Sequence, residues 1–273
     1  MSKFGLSNVT EEDLGALWAA LERGVFRAPM NATSLRAQGF GHLAEVLGPY
    51  LDLGPAGIRA LVEVALAERE RRKVPKLTLV WTGDDPGVGH SRHTRILVPE
   101  LFTRAREHVL VAGYAIDHGA ELFGSLYRTM LHHGVTAQFF VDVGQLAERL
   151  RQTARQSGQN WAALSAKMDA ASGNIERGRA IVELFHRLMW PFGDPKPVVY
   201  FDPRTADERS AVSLHAKCVV IDHEYALITS ANFTDRGQTR NLEAGVAIED
   251  RAFAGSLERQ WLNLVEAGVV VQG

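Results

Sequence analysis

The run Ser213-Leu-His-Ala-Lys-Cys-Val-Val-Ile-Asp222 constrains this chain more than any other stretch. It is rich in β-branched residues and predicts a strand. Along a strand, residues two apart share a face. His215 and Lys217 therefore point one way, and Ala216 and Cys218 the other. A second apolar run, Tyr225-Ala-Leu-Ile-Thr229, follows after His223-Glu224, which is hairpin spacing. Its end delivers Ser230 and Asn232. A third run, Ala244-Gly-Val-Ala-Ile248, starts directly after Glu243. Three neighbouring strands thus predict one meeting place for His215, Lys217, Asn232 and Glu243.

Those four residue types suit a phosphate. An imidazole can attack phosphorus as a nucleophile. An ammonium and an amide can hold the non-bridging oxygens and stabilise transition-state charge. A carboxylate on the second imidazole nitrogen fixes the tautomer. His215 alone reads as a buried histidine. Four such groups on three consecutive runs read as a site.

The pattern His215-x-Lys217-x4-Asp222, then Ser230-x-Asn232 and Asn241-x-Glu243, resembles the HKD motif of the phospholipase D superfamily, with the spacing kept out to the last Glu. Thr229 stands where that motif usually has Gly. The resemblance implies an α/β fold: a mixed sheet flanked by helices, preceded here by a small all-helical N-terminal domain. It implies a metal-independent phosphodiesterase that works through a phosphohistidine and needs no cofactor. His215, Lys217, Asn232 and Glu243 would be catalytic. Glu243 would orient His215 and favour its protonated form, Ser230 would bond the phosphate or a neighbour, and Asp222 would be structural. Catalysis in the superfamily needs two such motifs, and the first half of the chain has no second His-x-Lys. His90-Ser-Arg92 and His93-Thr-Arg95 carry the wrong cation and no following Asn. A homodimer with motifs meeting across a twofold axis is therefore expected. The whole chain also resembles the phospholipase-D-like component of the DISARM anti-phage defence system. That implies a nuclease acting on DNA, with the helical front docking other defence proteins. A non-catalytic nucleic-acid-binding scaffold and a lipid phosphodiesterase are the alternatives.

The remainder sets the frame. The 273 residues are 46% apolar, with formal net charge −2, so no general attraction to nucleic acid follows from charge. One cysteine excludes an internal disulfide and fits a reducing compartment. The first residues show no signal peptide and no apolar run is of membrane-spanning length, so a cytoplasmic protein without a membrane partner is expected. Residues 1–75 read as a helical domain, with Thr10 and Asp13 as a capping box and Gly54-Pro55 opening a second helix. Its Arg69, Arg71, Arg72 and Lys73 read as a solvated helix end. Residues 76–273 read as the α/β domain. Leu77–Trp81, Val109–Tyr114, Thr136–Val141 and Val198–Phe201 are predicted strands. The strand–helix–strand unit around Leu122–Leu131 predicts parallel pairing. Gln145 to about Trp190 reads as helix broken at Ser157-Gly158, and Phe253–Leu264 as a closing helix.

Other sites are weaker. Arg92, His93, Thr94 and Arg95 either touch a phosphate at a helix N-terminus or simply cap that helix. His132-His133 reads as a last-turn cation rather than a metal pair. Gly87-Val-Gly89 is too short for a dinucleotide site, and no P-loop is present. With one Cys and no His-x3-His pair, no zinc site is expected. Cys218 alternates away from His215 and is expected in the core.

Overall fold

The computed structural model describes residues 6, 9–71, 75–84 and 91–273. The chain forms two compact units, Met1–Val74 and Pro75–Gly273. Gly87-Val-Gly89, His90, Arg72, Lys73 and most of the first eight residues lie outside the described residues.

The first unit is helical: α1 (Glu11–Glu22), α2 (Ala32–Ala37), α3 (Ala44–Leu47) and α4 (Gly54–Arg71). Thr10 caps α1. Its hydroxyl accepts from the Asp13 amide at 3.0 Å and donates to the Asp13 carboxylate at 2.7 Å. Asn31 and Ser34 make the reciprocal box at α2. Leu14, Leu17, Ile58 and Val62 are wholly buried between α1 and α4. Each such burial stabilises by about 1.5–3 kcal/mol. Arg69 is not solvated along its length; it donates to the Leu6 carbonyl.

The second unit runs β1 (Lys76–Thr82), β2 (Ser91–His93), α5 (Thr94–Arg104), β3 (His108–Gly113), α6 (Gly119–His133), β4 (Thr136–Val141), α7 (Val143–Gln156), α8 (Trp161–Asp169), α9 (Asn174–Leu188), β5 (Val198–Phe201), β6 (Lys217–Ile221), β7 (Tyr225–Thr229), α10 (Asp235–Thr239), β8 (Glu243–Glu249), α11 (Arg251–Glu266) and β9 (Val271–Gln272). One mixed sheet has the order β2-β1-β8-β7-β6-β3-β4-β5-β9. β3, β4 and β5 are parallel, as the crossover predicts. β6, β7 and β8 form an antiparallel meander, with Cys218 opposite Ile228 and Thr229 opposite Gly245.

Both faces of the central strands are covered, which is why β3 after His108 and β6 after Lys217 are apolar. Alternation splits them. Val111, Phe139 and Val219 join Phe123, Phe185 and Trp190 on one face. Leu110, Phe140, Cys218 and Val220 pack with Trp261 of α11 on the other. The stretch expected as a helix broken once is broken twice. Asn160 caps α8 through its side chain, and α9 restarts after Gly173.

Candidate functional site

The predicted strand from Ser213 is shorter than expected. β6 starts at Lys217, and His215 lies just before it. The cause is Asp142. This buried carboxylate caps α7 by accepting from the Gln145 amide at 2.9 Å, and its second oxygen accepts from the Leu214 amide at 2.9 Å. The chain entering His215 is therefore tied to α7 and not to the sheet. Burial raises the Asp142 carboxyl above its ordinary value, opposed by those amides.

His215 is exposed and Lys217 is buried, and the two still meet. The Lys217 ammonium lies 3.0 Å from His215 Nδ1 and 3.3 Å from Nε2, and donates to the His215 carbonyl at 2.7 Å. Tyr114, immediately after β3, completes the cluster. Its ring is 4.4 Å from the imidazole, and Lys217 Nζ sits 5.0 Å over it, a cation–π geometry. Burial lowers the Lys217 ammonium below its ordinary value, and the Glu243 carboxylate opposes that shift.

Glu243 opens β8, two strands from β6. Its carboxylate accepts from Ser230 Oγ at 2.5 Å and from Asn241 Nδ2 at 3.0 Å. The expectation that Glu243 orients His215 is thus corrected within one chain. Ser230 and Asn241 occupy the carboxylate, and among the described residues no bond joins it to His215. Ser230 also accepts from the Ala244 amide at 3.1 Å, so its partner is a neighbour. Asn232 is held through its backbone, where Gln238 donates to its carbonyl at 2.9 Å. Its side-chain Oδ1 is buried and has no hydrogen-bond partner among the described residues. A solvent-open hollow of about 410 Å³ is lined by His215, Lys217, Thr229 and Ser230 on its polar side, and by Ile228, Leu257 and Trp261 on its apolar side.

Asp222 sits at the far end of β6, away from this hollow, with a left-handed φ of 51°. Its carboxylate accepts from the amides of Arg106, Glu107 and His108 at 2.8, 2.9 and 2.9 Å. Cys218 is buried, and burial raises its thiol to about 11, which removes the thiolate a nucleophile needs.

The Arg92–Arg95 group is divided by the fold. Thr94 is 1% exposed, and its hydroxyl pairs with that of Thr82 at 2.5 Å. The substrate role expected for Thr94 is corrected on that ground: packing of α5 against β1 seals it from any ligand. Arg92 bonds Glu100 at 2.5 Å. His93 caps α5 by accepting from the Arg95 amide at 3.3 Å. Arg95 alone is exposed, in a hollow of about 140 Å³ with Asp117, His118, Thr234 and Gln238. His132 and His133 lie in the last turn of α6, before Gly134 at φ 69°.

Two residues of the site were not expected. Tyr114 ends a predicted strand, but its place beside His215 follows only from the register that sets Gly113 opposite Lys217. Asp142 carries a readable cap signal, whereas its hold on Leu214 crosses 72 positions.

A nine-stranded mixed sheet between helical layers, with His215 and Lys217 joined at the start of β6, defines a phospholipase-D-like α/β protein. The chain belongs to the family described as cardiolipin synthase, PLD-like domain, whose model matches residues 98–265. No curated protein sequence matches it. Among solved structures it is similar to Nuc, a phospholipase D family member from Salmonella typhimurium, at 17% identity over 73% of this chain and 99% of that one, with a TM-score of 0.45. NucT from Helicobacter pylori gives 13%, 73%, 100% and 0.44. Phosphatidylserine synthase from Haemophilus influenzae Rd KW20 gives 15% identity and a TM-score of 0.45 over 82% of this chain, which spans 49% of that protein's length.

Proposed function

We propose that the chain is a phosphodiesterase in which His215 attacks phosphorus and is carried through a phosphohistidine, with no metal in the chemical step. The observation that carries this is the pairing of an exposed imidazole with a buried ammonium at the mouth of an open hollow. Lys217 donates to the lone-pair nitrogen of the neutral imidazole, and an entering phosphate that draws the ammonium to its oxygens would free that lone pair for attack. When a phosphate enters, the same ammonium, with Asn232, would hold the non-bridging oxygens. Tyr114 restrains the ring by stacking. Ser230 and Asn241 fix Glu243, whose charge Lys217 feels.

One imidazole cannot both attack phosphorus and protonate the leaving oxygen. We take the second from another copy of the chain, since His215 is exposed and its hollow is open. Arg95 is exposed, makes no ion pair among the described residues, and is assigned to substrate contact. DNA is the proposed substrate, in anti-phage defence, and the helical unit the proposed docking element for other defence proteins. This rests on the whole-chain resemblance stated above. A lipid phosphodiester is the second reading, because Ile228, Leu257 and Trp261 give the hollow an apolar wall.

The test is incubation of wild type and His215→Asn with DNA, RNA and anionic phospholipid vesicles, all in EDTA. DNA cleavage by wild type, lost by at least about a thousandfold in the variant at unchanged melting temperature, is expected. Equal cleavage by the variant, or no turnover of any substrate by wild type, refutes the proposal. Head-group release from vesicles without DNA cleavage selects the lipid reading. Native mass measurement checks the dimer.

A further inference from the structure

The end of the sheet opposite His215 gathers two imidazoles and a carboxylate. His108 opens β3, His223 lies in the β6–β7 turn, and Glu258 points inward from α11. β3 separates this cluster from Gly113, which is level with Lys217, by about 17 Å at strand rise. One ligand atom from each of the three residues lies within 4.8 Å of the other two. The two imidazole centroids are 4.4 Å apart.

Glu258 is 2% exposed. Burying a carboxylate so deeply costs several kcal/mol unless a cation and well-aimed donors compensate. Its oxygens approach His108 Nε2 and His223 Nδ1. Yet neither His108 Nε2 nor Glu258 Oε2 has a well-formed hydrogen bond among the described residues. Two imidazoles and a carboxylate thus converge on one point, where a metal ion would take the place of the protons between them. The turn that brings them together is itself costly. Asp222 and His223 are consecutive non-glycine residues at φ 51° and 55°. A left-handed residue costs on the order of 1–2 kcal/mol, and such turns concentrate at functional places.

We propose that His108, His223 and Glu258 bind a divalent transition-metal ion of the zinc class. Two imidazoles and one carboxylate suit zinc, cobalt, nickel or copper, whereas magnesium and calcium select all-oxygen sets. A tetrahedral ion holds its donors about 3.4 Å apart, given bonds of about 2.0–2.2 Å. The side chain of His223, 57% exposed, is free to turn to that spacing. His223 and Glu258 line an open cleft of about 500 Å³ whose rim carries Arg106, Arg251 and Arg259 alongside Glu107 and Glu224, so water would complete the shell. The ion would cross-link the start of β3, the β6–β7 turn and α11, three segments far apart in the chain. This site is independent of the hydrolytic reading.

The full chain, without a polyhistidine tag and after EDTA and dialysis, is titrated with cobalt for tetrahedral absorption and with zinc by calorimetry. One ion per chain is expected, with a rise in melting temperature. His223→Gln, at an exposed position, is expected to fold and to lose at least about tenfold in affinity. Glu258→Gln should do the same, and His215→Asn should bind like wild type. No saturable binding by wild type, an unchanged affinity in His223→Gln, or equal loss in His215→Asn overturns the proposal.

Discussion

Asp222 allows the motif's aspartate to be tested as a structural group. Replacing it with alanine removes an acceptor shared by three amides at 2.8–2.9 Å. Hydrogen bonds to a charged group contribute about 1.5–3 kcal/mol each. Arg106 and Glu107 are exposed, so water partly replaces the carboxylate there, and about 1 kcal/mol per bond is the fitting figure. Alanine also tolerates φ of 51° less well than aspartate, adding about 1 kcal/mol. The sum is about 4 kcal/mol. In a unit of about 200 residues, 1 kcal/mol moves Tm by about 2–4 °C, so Asp222→Ala should melt about 8–16 °C lower. Asp222→Asn keeps an acceptor and tolerates the left-handed turn, and should lose about 1.5 kcal/mol. The assay is circular dichroism melting alongside turnover per folded molecule. Because Asp222 lies at the far end of β6 from His215, turnover per folded molecule should persist. Asp222→Ala melting within about 2 °C of wild type would refute the hydrogen-bond argument. Turnover lost at full folding would refute the structural assignment.

Two other outcomes follow from packing and titration. Gly178→Ala places a methyl 2.0 Å from the Phe201 ring and should cost about 3 kcal/mol or more by urea denaturation, whereas Gly15→Ala, with open space around it, should be neutral or stabilising by up to about 1 kcal/mol. Burial holds His186 below its ordinary 6.5, against a bond from Nε2 to the Pro197 carbonyl at 3.2 Å. Below pH 6.5 the unfolded chain then takes up a proton that the folded chain refuses, so stability falls as pH falls through that window. His186→Gln should flatten that part of a Tm-against-pH curve, and an unchanged slope would disprove the effect.

Much of this fold was legible locally because its causes are local. Period-two alternation sends Cys218 to the core and Lys217 to the site. Cap chemistry marks Thr10, and the α6 crossover makes β3 and β4 parallel. His215 and Lys217 do meet, although His215 lies before β6 begins. Spacing was silent wherever a contact joins residues far apart. Nothing near Thr94 says that Thr82 will seal it. Nothing near Glu243 says that Ser230 will donate to the carboxylate that His215 was expected to share. Tyr114 meets His215 only because of strand register, and His108, His223 and Glu258 meet only because the β6–β7 turn and α11 close over the start of β3. Backbone geometry repeats every two or 3.6 residues, so a sequence by itself determines which way neighbours point. Which distant surfaces bury one another depends on how apolar area across the whole chain packs, and only the tertiary structure decides that.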